Sequence, residues 1–162
     1  MRVLITALVA SILPLSMLVA QGGGTCAATP NVEVVGVGSA GAFGTPSLAG
    51  VGEPQVGVPG SFHFEINGGV PFAPGVLALA RVEHPTFSST YNTTLWGAFT
   101  VSVPFVCDGN GHAVVMPGRT NNSLNVLCGL DLIAQATVFD FTGPGGATWT
   151  NGLRFRFGTP PP

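Results

Sequence analysis

Residues 61–67, SFHFEIN, alternate polar and apolar side chains at every step. The apolar members Phe62, Phe64 and Ile66 fall on one side of an extended chain, and the polar members fall on the other. A period of two is typical of a β-strand with one face in the core and one face in water. The stretch therefore predicts a half-buried strand.

The same period extends in both directions along the chain. In FTVSVPFV, residues 99–106, Phe99 and every second residue after it are expected to face inward. GVLALARV (75–82) and DLIAQATVFDF (131–141) are apolar on both faces and are bracketed by Gly and Pro. That pattern favours central strands that are covered on both sides.

The composition fits such a fold. The 24 Gly and 14 Pro supply turns, while 46% hydrophobic residues, with 11 Phe among them, are enough for a packed core. About eight strands separated by Gly, Pro or Asn turns predict an all-β domain at residues 32–158. Its expected architecture is an antiparallel β-sandwich of jelly-roll-like or immunoglobulin-like kind.

The first residues have the pattern of an export signal. Met1 and Arg2 form a short basic start, residues 3–20 are an apolar run, and Ala20 and Gly22 fit the small-x-small rule for cleavage. We expect a signal helix at 1–22, cut before Gly23, and a secreted product that is extracellular or periplasmic. A flexible leader at 23–31 and a Pro-rich tail at 159–162 are expected to flank the domain.

Two other interpretations of the N-terminal region stay open. A retained membrane anchor is disfavoured because Pro14 interrupts an apolar run that is barely long enough to span a bilayer. A lipoprotein would need a small residue directly before Cys26, where Thr25 stands.

Export allows the three cysteines, Cys26, Cys107 and Cys128, to oxidise. Because Cys26 lies in the glycine-rich leader, we predict that Cys107 pairs with Cys128, while the other two pairings stay open. The sequence has no C-x-x-C or H-x-x-x-H spacing, so neither structural zinc nor another cofactor is predicted.

Charged residues make up 7% of the chain, and no lysine is among them. Nucleic-acid binding needs a basic surface to neutralise phosphates, so nucleic acid is excluded as a partner.

In TNGLRFRFG (150–158), Asn151–Gly152 is a turn signal, and Arg154 and Arg156 are expected to face water. The arginines either keep a closing edge strand from pairing with another chain or form a cationic strip for a carboxylate or sulfate polymer.

DGNGH, residues 108–112, contains two weak calcium candidates, Asp108 and Asn110. The closing glutamate of a calcium loop is missing, and Asn-Gly between two strands is a strong hairpin signal. A plain hairpin turn is therefore the preferred interpretation.

An enzyme would need catalytic groups gathered in one place. His63 and Glu65 share the outer face of one strand, Glu83 and His84 form a second pair, and GVGSAG (36–41) matches a nucleophile elbow only loosely. Neighbouring polar residues on a strand are usually its wet face, so we predict that the protein is not an enzyme.

Three stretches in order, GVGSAGAFGTPSL (36–48), GLDLIAQATVFD (129–140) and TNGLRFRFG, together resemble a family of small secreted bacterial β-domains. Members of that family stand alone or end longer exported proteins, and their activity is not established. The resemblance implies the same fold and location, and turn or core roles for the motif residues. These are Gly36, Gly38, Gly44, Thr45, Pro46, Gln135, Asp140, Asn151, Gly152 and Leu153.

Two functions then stand ahead of a hydrolase. The first is a secreted structural or interaction domain that binds other exported or cell-surface proteins. The alternative is a carbohydrate-binding module in which Trp149, Trp96 and Tyr91 offer flat aromatic faces to a polysaccharide. We favour the first because it requires no special site.

Overall fold

The computed structural model of the protein describes residues 26–81, 83–116 and 127–159. The expected signal peptide, the start of the leader and the end of the Pro-rich tail lie outside these residues. The strands are β1 (Asn31–Val35), β2 (Ser47–Gly52), β3 (Phe62–Asn67), β4 (Pro74–Ala80), β5 (Glu83–Ser88), β6 (Thr93–Gly97), β7 (Val101–Val106), β8 (Ala113–Val115), β9 (Asp131–Phe139) and β10 (Ala147–Arg156). Their pairings are antiparallel, so the predicted all-β antiparallel fold is confirmed, with ten strands where about eight were expected. Within the described part of the chain, no helix has the length and apolar character needed to cross a membrane.

The strands form three sheets. A five-stranded sheet has the order β1-β10-β9-β4-β7, a three-stranded sheet has the order β2-β3-β8, and β5 pairs with β6 as a hairpin. The alternating stretch SFHFEIN contains β3, in which Phe62, Phe64 and Ile66 are buried as predicted. The larger two sheets pack face to face as a β-sandwich around one main core.

Aromatic rings form the centre of that core. Phe62 stacks on Phe155 with ring centroids 5.5 Å apart, and Phe64 meets Phe155 edge to face at 5.3 Å. On the five-stranded sheet, the small residues Ala134 and Ala136 face the same core and leave room for the rings. Each aromatic pair contributes about 0.5–1.5 kcal/mol beyond its buried area.

The other face of the five-stranded sheet is covered by the β5–β6 hairpin. Trp96 of β6 packs against Val35 and Ile133, and Gly97 lies against Ala80. Strands β4 and β9 therefore have neighbours on both faces, which explains why both of their faces are apolar. The prediction that they are central strands is confirmed.

The outermost strand of this sheet, β7, follows its prediction only in part. Val103 and Phe105 pack against the main core, and Phe99 packs beneath the hairpin. Val101 was expected to face inward but is exposed, because β7 is an edge strand with incomplete cover.

Asn151–Gly152 is not a turn, which corrects the sequence-based prediction. Both residues lie inside β10, where the register with β9 shifts between Trp149 and Gly152. Two residues of β10 therefore oppose one of β9, which is a β-bulge. A Cβ at Gly152 would lie 2.7 Å from Val35 and 2.8 Å from the ring of Trp96, so close packing requires the glycine.

The disulfide also differs from the prediction. Cys26 is bonded to Cys128, with their Cα atoms 5.7 Å apart, and Cys107 is a buried free thiol. Backbone hydrogen bonds bring the two ends of the bridge together: Thr159 N–H donates to the Ala28 carbonyl, and Gly129 N–H donates to the Phe157 carbonyl, both at 2.9 Å. The described part of the leader is thus attached to the end of the domain.

Burial of Cys107, and secondly the charge of Asp108, raise the pKa of the Cys107 thiol. A raised pKa leaves less of the reactive thiolate, so this cysteine is poorly suited to disulfide exchange.

Candidate functional site

The two arginines of β10 do not form a free cationic strip. Arg154 Nε donates to Glu83 at 2.9 Å and its Nη1 donates to Glu33, while Arg156 makes a two-point pair with Asp131 at 2.9 and 2.6 Å. The hydrogen bonds to Glu83 and Asp131 raise the pKa of Arg154 and Arg156, respectively, so both stay charged. Because β10 lies between β1 and β9, the arginines do not protect an edge strand either.

The aromatic residues proposed as a sugar platform are half-buried. Tyr91 packs on Trp149 with ring centroids 5.4 Å apart, and the Trp149 indole nitrogen is buried without a hydrogen-bond partner. Trp96 lies between the hairpin and the sheet, with its ring over Gly36 and Gly152. Tyr91 thus covers part of Trp149, and Trp96 is enclosed between two layers, so neither ring is fully open to a sugar.

Asp108 and Asn110 form a turn. Asp108 Oδ1 accepts the backbone N–H groups of His112 at 2.9 Å and Asn110 at 2.8 Å, and these hydrogen bonds lower the pKa of Asp108. The turn joins β7 to β8, which belong to different sheets, so it is a crossover and not the predicted hairpin. Among the residues described, no three His, Cys, Asp or Glu side chains are grouped to hold a metal ion.

The acid–base candidates lie in separate places. His63 Nε2 is 3.2 Å from Glu65 Oε1 on the outer face of β3, whereas His84 is on the β5–β6 hairpin beside Thr86. Ser39 is buried, and its hydroxyl accepts the N–H of Trp149 at 2.9 Å. Ser39 therefore attaches its loop to β10.

Gln135, fully buried in β9, connects three strands. Its Nε2 donates to the carbonyls of Thr94 at 3.0 Å and Thr150 at 2.9 Å, and its Oε1 accepts the N–H of Trp96 at 3.1 Å. Since Thr94 and Trp96 belong to β6, this side chain holds the hairpin on the five-stranded sheet.

Asn151 makes the equivalent connection on the opposite face. Its Oδ1 accepts the N–H of Leu48 and its Nδ2 donates to the Leu48 carbonyl, both at 2.9 Å. The side chain therefore makes the two hydrogen bonds that the backbone of a neighbouring strand would make. These bonds join β10 of one sheet to β2 of the other. Gln135 and Asn151 thus hold the three layers together.

One end of the sandwich, where β9 ends and β4 begins, carries four exposed phenylalanines. They are Phe43, Phe72, Phe139 and Phe141, called the phenylalanine surface below. They line a groove of about 460 Å³, whose remaining walls are mostly Val, Ala and Pro from residues 70–74. Phe141 is 98% exposed and Phe72 is 74% exposed, so these rings contribute little to the core.

Asp140 fixes the position of two of these rings. It points inward between Phe139 and Phe141, and its carboxylate accepts the N–H of Thr142 at 2.9 Å and the N–H of Ala42 at 3.3 Å. The bond to Ala42 joins the tight turn that carries Phe43 to the turn that carries Phe141. The two loops are therefore held side by side.

Phe72 is fixed by its own backbone. Its φ of 58° is in the left-handed region, which costs a non-glycine residue about 1–3 kcal/mol. The strain is held because Phe72 N–H donates to the Asp108 carbonyl at 3.1 Å and its ring lies against Gly109. Strained residues of this kind cluster at binding sites.

The sequence-based reasoning missed this surface. The sequence contains one indication of it. Three of the phenylalanines lie outside the alternating strand segments, in AFGTP, PFAP and DFTGP. Each of these phenylalanines stands close to the Gly or Pro of a turn. That setting does not decide exposure by itself, because Phe157 has the same FGTP context as Phe43 and is buried.

Comparisons of the chain with protein-family models, with curated protein sequences and with solved structures find no match.

Proposed function

We propose that the protein is a secreted interaction domain that binds another exported or cell-surface protein through the phenylalanine surface. The observation that carries the proposal is the group of four exposed rings around one groove. The largest apolar patch on a typical soluble monomer covers about 300–600 Å² and is often functional.

The location in this proposal rests on the N-terminal segment and on the disulfide. A basic start followed by an apolar run is the pattern of a secretory signal. The Cys26–Cys128 bridge is compatible with an extracellular or periplasmic location, where disulfides persist.

The character of the groove indicates the chemistry of the partner. Among the described residues that line the groove, Asp140 alone is charged, and its carboxylate turns inward to backbone groups. The groove therefore offers rings and aliphatic side chains, which suit an uncharged apolar protein surface better than a charged polymer. A binding role is also favoured over catalysis because His63, Glu65, Glu83 and His84 are not among the described residues that line the groove.

A photo-crosslinking amino acid placed at position 141 tests this function in cells that export the protein. The matched control carries the same amino acid at Phe87, which is 64% exposed on β5, away from the groove. Protein adducts at position 141 and none at 87, identified by mass spectrometry, would support the proposal. Equal labelling at both positions, or adducts to lipid or polysaccharide at 141, would contradict it.

The carbohydrate-binding alternative rests on the packed pair of Tyr91 and Trp149, both half-exposed. Affinity electrophoresis through gels that carry polysaccharides compares the parent chain with Tyr91→Ala. If the gels retard the parent chain and Tyr91→Ala abolishes the retardation, the result would favour carbohydrate binding over binding to a protein.

A further inference from the structure

The phenylalanine surface combines a projecting ring with an open groove. Phe141 extends into solvent, and the adjoining groove has a volume of about 460 Å³. An apolar cavity of about 150 Å³ is enough to hold a benzene ring. The surface could thus receive a ring like the one that it presents.

A surface that pairs with itself through a two-fold axis must not repel itself. In such an interface residue i of one copy meets residue j of the other, so a charge close to the two-fold axis would face its own symmetry copy. Among the described residues that line the groove, none presents a charge to solvent, because the Asp140 carboxylate is bound by Thr142 and Ala42. The groove satisfies this condition.

The area is also sufficient. The exposed fractions of the four rings are 60%, 74%, 47% and 98% for Phe43, Phe72, Phe139 and Phe141. With about 200 Å² for a whole phenylalanine side chain, they expose about 560 Å² in one copy. Complete burial of these rings in two copies would remove at most about 1,100 Å² from solvent, which passes the roughly 1,000 Å² minimum for a biological interface and lies below the roughly 1,200 Å² at which stable interfaces begin.

We propose that the occupant of the groove is a second copy of this chain, with Phe141 of each copy seated in the groove of the other. This inference rests on the proposed function and names the partner. Because the buried area is small, the dimer is a reversible one whose dissociation constant is on the order of micromolar.

Sedimentation equilibrium of the purified chain, residues 23–162, tests the proposal over concentrations from about 1 to 500 μM. The parent chain is expected to show a monomer–dimer equilibrium. Phe141→Ser is expected to weaken the dimer at least about tenfold, as for a central interface ring, and Phe72→Ser is expected to do the same. Phe87→Ser, which removes a ring that is 64% exposed elsewhere on the protein, is expected to leave the equilibrium unchanged.

A mixture of isotopically heavy and light chains, both with the photo-crosslinking amino acid at position 141, identifies the contact. Heavy–light adducts to a peptide that contains Phe43 or Phe72 support the paired arrangement. Circular dichroism of each serine variant shows whether it is folded, and the crosslink does not depend on those variants.

Three results would overturn the inference. They are a parent chain that stays monomeric throughout, a dimer that Phe141→Ser and Phe72→Ser leave intact, or a monomer that binds phosphatidylcholine vesicles through these rings. The interaction function is judged separately, since adducts from position 141 to a different protein in cells would preserve it while excluding the second copy.

Discussion

Replacement of Gln135 by methionine tests whether one buried side chain holds the β5–β6 hairpin on the sheet. The substitution keeps the length of the side chain and removes its hydrogen bonds to Thr94, Trp96 and Thr150. Any loss of stability therefore reports the bonds more than a change in packing.

The expected loss follows from the burial of the three partners. Thr150 is fully buried, and a buried carbonyl left without its partner costs about 1–3 kcal/mol. Thr94 and Trp96 are half-buried and regain water in part, so each of their bonds contributes about 0.5–1.5 kcal/mol. The sum is a loss of about 2–6 kcal/mol in the free energy of unfolding, with a central value of about 4 kcal/mol. For a domain of this size, that corresponds to a decrease in Tm of roughly 10 °C.

Urea unfolding measures the free energy, and hydrogen exchange of the Trp96 amide measures whether the hairpin is released. The matched control is Gln55→Met, because Gln55 donates only to Glu53, at 2.8 Å in an exposed setting. We expect the control to change stability by less than about 0.5 kcal/mol. A Gln135→Met protein as stable as the control, with unchanged exchange at Trp96, would refute the reasoning.

The disulfide, the bulge and a buried carboxylate give three more tests. Cys128→Ser is expected to lower the free energy of unfolding by about 2–5 kcal/mol. In the parent chain, non-reducing peptide mapping should find Cys26 joined to Cys128, and a Cys107–Cys128 peptide would contradict the structure. Gly152→Ala is expected to cost about 1–3 kcal/mol in urea unfolding, because its methyl group would overlap Val35 and Trp96, and a neutral result would show that the bulge can relax. Although burial raises the pKa of Asp140, hydrogen bonds from Thr142, Ala42 and Gly143 lower it overall, below its ordinary value of 3.8. The carboxylate thus stabilises the fold fully above about pH 4, and this stabilisation is lost as the pH falls through the folded pKa. Asp140→Asn should flatten the acid part of a plot of unfolding free energy against pH, and an unchanged slope would exclude this role.

The fold class could be predicted from the sequence because each strand contains its own pattern. β3 alternates over its length, and β9 is apolar on both faces because it is packed on both sides. Such periodicity depends on local geometry, so no knowledge of distant residues is needed to recognise it.

Features that depend on distant contacts could not be predicted in the same way. Asn151–Gly152 has the composition of a turn, but Leu48 and Trp96, far away in the sequence, make it a bulge. The partner of Cys128 depends on the path of the leader, which the hydrogen bond between Thr159 and Ala28 directs. The contacts around Asn151–Gly152 and the hydrogen bond between Thr159 and Ala28 cannot be inferred from the spacing of the residues in the sequence.

The candidate site was missed for a different reason. The predicted candidates Arg154 and Trp149 were chosen by residue type. In the structure, Arg154 is hydrogen-bonded to Glu33 and Glu83, and Trp149 packs against Tyr91. The phenylalanine surface combines loops that are separate in the sequence, joined by the bond between Asp140 and Ala42. Those loops become neighbours only in the folded protein, at one end of the sandwich.

The pairing of β1 with β10 determines when the protein can fold. Asn31 lies opposite Arg156, and β10 is the strand that connects β1 to the rest of its sheet. A chain synthesised from its N-terminus must therefore hold β1 unpaired until its last strand is available, and pairing over such a separation is slow. The open edges remain accessible to other chains throughout that delay. A protein built in this way is most vulnerable to aggregation in the interval before its five-stranded sheet is complete.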